Sequence, residues 1–166
     1  IGTLKVLCPA SAAAGLCALP EAMLAPLPGE RWDACTEAFL RSYLDAATCI
    51  AIGPGMGRAA ETDGVLRLVL SAGKPVVDAD GLFALARSIE ARAALHDKVV
   101  LTPHFGEMAR LLGISIPEVR ENQEALALRS AAQWGCTVLL KGARSVVAAP
   151  DGRFAWKETG NPGLAK

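Results

Sequence analysis

Cys49-Ile50-Ala51-Ile52-Gly53-Pro54-Gly55-Met56-Gly57 decides the fold class of this chain: a short apolar run ends in a glycine-rich loop, and a segment of helical period follows it. In that segment Val65, Leu66, Val69 and Ala72 fall on one face of a helix expected to start near Ala59. Working outward, apolar runs of strand length recur at Leu4–Cys8, Thr48–Ile52, Pro75–Val77, Lys98–Leu101 and Thr137–Leu140. A second helical segment is expected from Pro117, with Ala125, Leu126, Leu128 and Ala132 inward. Strands alternating with helices read as βαβ units, so the expected fold is α/β with a mainly parallel sheet flanked by helices. Ser145–Ala149, the turn Pro150-Asp151-Gly152 and Arg153–Trp156 read as an antiparallel hairpin added at the C-terminal end.

The chain has 166 residues, of which 52% are hydrophobic and 20% charged, and its 17 Lys+Arg balance 17 Asp+Glu. That composition excludes a disordered tail and a polybasic nucleic-acid binder, and favours one domain over residues 1–166 that takes a small molecule. No uninterrupted apolar run approaches the roughly 18 residues needed for a membrane helix. The five cysteines, Cys8, Cys17, Cys35, Cys49 and Cys136, form no CxxC pair. They are expected to be reduced, buried, small apolar side chains in a cytoplasmic protein. Ile1 in place of Met and a last stretch rich in glycine suggest that the domain is incomplete at both ends.

Four loops carry the candidate chemistry. Glycines in Gly53–Gly57 let a ligand approach the backbone, and the following helix start favours an anion, although a tight strand-to-helix turn has the same composition. Asp78-Ala79-Asp80-Gly81 follows Lys74-Pro75-Val76-Val77 at the carboxyl end of an expected strand, where open α/β sheets bind ligands. Asp80 suits substrate hydroxyls or a magnesium ion, or else a helix N-cap, and Asp78 reads as structural. Leu101-Thr102-Pro103-His104-Phe105-Gly106-Glu107 sets an imidazole and a carboxylate three residues apart at a strand end, while His96 reads as a satisfied structural residue. Lys141-Gly142-Ala143-Arg144-Ser145 offers a cation and open backbone N–H groups to a nucleotide phosphate, or forms a plain β-turn. Thr159-Gly160-Asn161-Pro162-Gly163-Leu164-Ala165-Lys166 reads as a loop approaching an anion-binding helix start.

In this order GPGMG, VDADGL, LTPHFGEMARLLG, LKGARSVVA with PDG, and TGNPGLAK resemble the ADP/ATP-dependent NAD(P)H-hydrate dehydratases, over about residues 48–166. The resemblance implies a ribokinase-like nucleotide-binding domain that uses ADP or ATP, with Mg2+, to dehydrate the S form of hydrated NADH or NADPH. It implies that Gly55 and His104, with Asp80, meet the hydrated nucleotide. Lys141, Gly142, Ala143, Arg144 and Ser145, with Asn161, would meet the adenine nucleotide. Glu107 stands where related kinases carry a magnesium-organising glutamate, and Phe105 replaces the family's usual proline. The family continues after NPGxAx into GG(S/T)GD, whose aspartate is the catalytic base. That segment is not among these 166 residues, so this stretch alone is expected to be inactive. A homo-oligomer is expected, with no nucleic-acid or membrane partner.

Two other readings compete. A kinase of the hydroxymethylpyrimidine or hydroxyethylthiazole type would give a stable phosphorylated product, and a non-catalytic nucleotide-binding fragment would bind without turnover. Repair would regenerate NAD(P)H, with its absorbance at about 340 nm.

Overall fold

The computed structural model describes residues 2–16 and 20–157. Two compact units are described in turn, Ile1–Tyr43 and Leu44–Lys166.

In the first unit β1 (Leu4–Cys8) pairs in parallel with β2 (Ala22–Pro26), with Leu4 opposite Ala22 and Cys8 opposite Pro26. The helix α1 (Ala10–Leu16) lies between them in sequence and packs on β2. The sequence reading misses β2, because Ala-Met-Leu-Ala-Pro has no β-branched residue and ends in proline. A 3-10 turn (Trp32–Ala34) leads to α2 (Glu37–Leu44), which begins where the Thr36 hydroxyl accepts the Phe39 N–H at 3.1 Å.

The second unit holds a six-stranded sheet in the order β3 (Ile50–Ile52), β4 (Pro75–Val77), β5 (Val100–Leu101), β6 (Thr137–Leu140), β7 (Ser145–Ala148) and β8 (Phe154–Lys157). From β3 to β6 the pairs are parallel, and β7 and β8 join antiparallel as the expected hairpin. The connections carry α3 (Glu61–Leu70), α4 (Ala79–Arg87), α5 (Ile89–Ala93), α6 (Phe105–Leu112), α7 (Ile116–Glu121) and α8 (Gln123–Trp134). This is the α/β architecture expected from the sequence.

Three local expectations need correction. The helix expected from Pro117 is two helices, separated at Asn122, whose backbone leaves the helical region (φ −122°, ψ 34°). In α8 Leu126, Ala127, Ser130 and Ala131 are buried, Leu128 is half-buried, and Ala125 and Ala132 face out. In α3 the inward residues are Val65, Leu66, Val69 and Leu70, because the helix ends before Ala72. Nor are all the cysteines buried. Cys8 and Cys136 are, but Cys35 is half-buried and Cys49 exposed, and Cys17 lies outside the described residues. Burial pushes the Cys136 thiol up to about 12, so that thiol stays protonated and inert.

Leu66, Leu70, Val77, Leu82, Leu85, Leu101, Met108, Val138, Leu140 and Val146 are fully buried, at about 1.5–3 kcal/mol each relative to exposure. Val138 and Leu140 face the same way as Val146 and Ala148 and pack with Met108, Val119 and Leu126. This core fixes the ends of β4, β5 and β6, and hence the loops that leave them.

Candidate active site

Because β3, β4, β5 and β6 run parallel, the loops Gly53–Gly57, Asp78–Gly81, Thr102–Glu107 and Lys141–Ser145 all leave their carboxyl ends along one rim. Backbone contact joins the first two. Gly53 has φ +123°, and a Cβ there would sit 1.8 Å from the Asp78 carbonyl oxygen. A Cβ on Gly81 would meet the Val77 side chain at 2.9 Å and Gly53 Cα at 3.3 Å. These glycines let the turn after β3 lie directly on the start of α4. Gly55 (φ +68°) faces open space.

The two aspartates diverge around Ala79, a non-glycine residue in the left-handed region at φ +46°. That conformation costs about 1–2 kcal/mol and places neighbouring side chains where a regular helix start would not. Asp80 accepts the Gly57 N–H at 3.1 Å and the Arg58 Nε–H at 2.9 Å, so it braces the first loop. It is not the N-cap: that position belongs to Asp78, whose side chain makes no capping bond. Asp78 instead accepts from Lys141 Nζ at 2.6 Å, across the sheet. Burial alone would raise the Asp78 carboxyl. Hydrogen bonds from Lys141 and the Ala79 N–H, the Lys141 charge and the Thr102 hydroxyl outweigh it and hold the group below the ordinary carboxylate value.

The third loop forms a capping box. His104 Nδ1 accepts the Gly106 and Glu107 N–H groups at 2.9 and 3.3 Å, and Glu107 Oε2 accepts the His104 N–H at 2.8 Å. An accepting Nδ1 assigns the proton to Nε2. That atom lies 3.5 Å from Glu107 Oε1 on a side chain 59% exposed, so it can donate outward. Phe105, in place of proline, lays its ring on the fourth loop, where a Cβ on Gly142 would meet Phe105 Cζ at 2.6 Å. The cap itself is worth about 1 kcal/mol and does not involve the Phe105 side chain. Backbone pairing completes the tie: Lys141 N–H donates to Pro103 O at 2.7 Å, and His104 and Lys141 form a parallel bridge.

The fourth loop turns tightly, with Ser145 Oγ 3.4 Å from both the Gly142 N–H and its carbonyl. The Arg144 guanidinium lies 4.7 Å from the Trp156 ring, and beside it a recess of about 490 Å3 is lined by Phe105, Arg120, Gln123, Ala143 and Arg144. Asn161 and the rest of Thr159–Lys166 lie outside the described residues.

The structure thus gathers Gly55, Asp80, His104, Glu107 and Lys141–Ser145 on one rim, and it sets His96 at the opposite end of β5. Sequence reasoning missed the roles of Arg58, which holds Asp80, and Thr102, which faces Asp78. A basic residue directly after GPGMG was the available signal for Arg58; the Asp78–Lys141 pair spans 63 positions and left none.

A bifunctional NAD(P)H-hydrate repair enzyme Nnr of Moorella thermoacetica is 42% identical over 149 residues, which are 89% of this chain and 27% of that protein. The ADP/ATP-dependent NAD(P)H-hydrate dehydratase of Bacillus subtilis, co-crystallised with ATP/Mg2+ and soaked with CoA, superposes with TM-score 0.76 at 29% identity, over all of this chain and 58% of that one. A ribokinase-like superfamily protein of Enterococcus faecalis gives the same TM-score, 0.76, at 26% identity, over 98% of this chain and 55% of that one. The chain therefore spans little more than half of these structures and about a quarter of the Moorella enzyme. The NAD(P)H-hydrate dehydratase family model matches residues 1–166 throughout, and the chain belongs to that family.

Proposed function

We propose that this rim binds the S form of hydrated NADH or NADPH beside ADP or ATP, for nucleotide-dependent dehydration back to NADH or NADPH. The observation that carries the reading is the linkage of all four loops: Asp80 to Gly57, Asp78 to Lys141, and His104 to Lys141. Anything bound between Gly55 and the Lys141 turn meets a prearranged set of donors.

The nucleotide supplies a phosphoryl group that makes the ring hydroxyl a leaving group; the ring nitrogen lone pair then expels phosphate, and a ring C–H proton is lost. The chain's residues position and stabilise. His104 Nε2–H donates to the hydrated nicotinamide, the open backbone at Gly55 admits it, and Asp80 holds the loop and offers its remaining lone pairs to hydroxyls. Lys141 and the turn Gly142, Ala143, Arg144 and Ser145 meet the adenine nucleotide's phosphates, and Asn161, outside the described residues, is assigned to the same nucleotide by family pattern. A phosphate there shares Lys141 with Asp78.

Among the described residues no group of three His, Cys, Asp or Glu side chains could hold a metal ion. The described residues therefore do not by themselves cage magnesium. Glu107 has Oε2 engaged in the cap, so its proposed part is acceptance, by Oε1, from the water shell of an ion carried on the nucleotide. Residues 1–166 do not include the GG(S/T)GD aspartate, so this stretch is proposed to bind without appreciable turnover. Self-association is part of the reading and is checked by sedimentation. Among the described residues no helix is long and apolar enough to cross a membrane.

The test follows absorbance at about 340 nm with hydrated NADH, magnesium and ADP or ATP, for this stretch beside one extended through GG(S/T)GD. The extended chain should regenerate NADH, and the short one should be slower by about 100-fold or more. A stable phosphorylated product would instead assign a small-molecule kinase, and a comparable rate from the short chain would place the base within residues 1–166. By calorimetry, Lys141→Ala should weaken adenine-nucleotide binding more than hydrated-cofactor binding; equal losses would remove the assigned role.

A further inference from the structure

Phe83, half-buried on the second turn of α4, has three guanidinium carbons over its ring: Arg58 at 4.8 Å, Arg110 at 5.2 Å and Arg87 at 5.5 Å from the centroid. A ring has two faces, so at least two of these cations share one. Like charges this close repel unless anions offset them. Two carboxylates do so in part, Asp80 for Arg58 and Asp63 for Arg87.

The three arginines are not equivalent. Arg87 is engaged on all sides, donating to Asp63, to the Arg58 and Ala59 carbonyls and to the Thr62 hydroxyl. It is a clamp on the start of α3. Arg58 donates to Asp80 through Nε alone, and its terminal nitrogens have no partner among the described residues. Arg110, exposed on the last turn of α6, has no carboxylate or carbonyl partner among the described residues. A solitary surface arginine would be expected to extend into water away from other cations. Arg110 instead joins them over the same ring, which leaves two guanidinium ends unengaged and the charge of one cation uncompensated.

We infer that Arg58 and Arg110, over Phe83, form a phosphate-binding subsite for the hydrated dinucleotide; the identity of that ligand rests on the reading proposed above. Planar guanidinium forks match phosphate oxygens with paired hydrogen bonds. Arg58 directly follows the glycine loop and is held by Asp80, so the subsite continues the proposed substrate end of the rim. The adenine nucleotide's proposed phosphate contacts, at Lys141, lie three strands away at the end of β6. The phosphate has two sources: the diphosphate bridge common to both hydrates, and the 2′-phosphate found in the NADPH form alone.

Calorimetry with hydrated NADH, hydrated NADPH and ADP tests this on the parent chain, on Arg110→Gln, and on Arg153→Gln, which removes the same charge from the exposed hairpin turn. Arg110→Gln should lose about 10- to 100-fold in affinity for a hydrate and little for ADP, with Arg153→Gln unchanged. Loss for both hydrates assigns the diphosphate, and loss for hydrated NADPH alone assigns the 2′-phosphate. Unchanged hydrate binding in Arg110→Gln and in the Arg58→Gln, Arg110→Gln double variant would overturn the subsite. If the parent binds neither hydrate, inorganic pyrophosphate followed by phosphorus NMR becomes the probe. Line broadening by the parent but not by Arg110→Gln supports the anion subsite while removing the hydrate reading, and sharp lines with the parent overturn the subsite.

Discussion

The two histidines flank β5, one at each end of the same short strand, and their nitrogens are used differently. At the amino end His96 Nδ1 accepts the Lys98 N–H at 3.3 Å and Nε2 donates to the Leu70 carbonyl at 2.8 Å. Both polar atoms serve the backbone. At the carboxyl end His104 uses Nδ1 for two helix N–H groups and keeps Nε2 accessible beside Glu107. The contrast suits the proposed binding end of the parallel sheet, where side chains complete their structural duty with one atom and still present another. Asp80, bound to Gly57 and Arg58 while 20% exposed, follows the same pattern.

The harshest way to break the proposed binding end is Gly53→Ala. A Cβ there would lie 1.8 Å from Asp78 O and 2.8 Å from Gly81 N, both backbone atoms that cannot move aside cheaply. We expect destabilisation above about 4 kcal/mol and a Tm lower by roughly 10 °C or more, read by thermal melting. A variant melting within a few degrees of the parent would show that the two loops do not depend on this close approach.

Exchanging the histidines sharpens the comparison. His104→Ala should cost about 1–2 kcal/mol through loss of the cap, together with affinity for the hydrated cofactor. His104→Asn, which can still cap, should recover most of the stability and little of the affinity. His96→Ala should cost a similar 1–2 kcal/mol, because two backbone partners are left unpaired, with hydrate affinity unchanged. Melting and calorimetry on the three variants separate these outcomes, and equal affinity losses for His96→Ala and His104→Ala would erase the distinction between the two ends.

The smallest effect concerns Asp78. Its folded carboxyl sits below its ordinary value of 3.8, so the folded state binds this proton less readily than the unfolded chain. The resulting stabilisation is complete above that ordinary value and is lost as pH falls through the lowered one. Asp78→Asn should therefore flatten the stability profile below about pH 4 and lower stability modestly at neutral pH, since the pair is partly exposed. Chemical denaturation between about pH 2 and pH 7 checks this, and an unchanged acid slope would show that other groups control it.

The strands of the six-stranded sheet and the hairpin are legible because each is a short, mostly apolar run that ends at a polar or turn-forming residue. The loops read as candidate sites for the same reason, since Gly55, Asp80, His104 and Lys141 each follow such a run. Less was legible where neighbours in space are distant in sequence. That Phe105 would rest on Gly142, or that three arginines would gather on Phe83, has no local signature. The break at Asn122 is likewise not legible, because it is a backbone event inside a continuous helical period.

The sequence by itself thus determined the strands of the six-stranded sheet and which loops carry polar chemistry, but neither β2 nor the division between α7 and α8, because propensity and hydrophobic period act over a few residues. Tertiary structure alone decided the partners: Lys141 with Asp78 rather than Asp80, Asp80 with the glycine loop, and the left-handed turn at Ala79 that separates the two carboxylates. Burial of β4, β5 and β6 sets their order and register, and this long-range packing brings positions 63 residues apart within hydrogen-bonding distance.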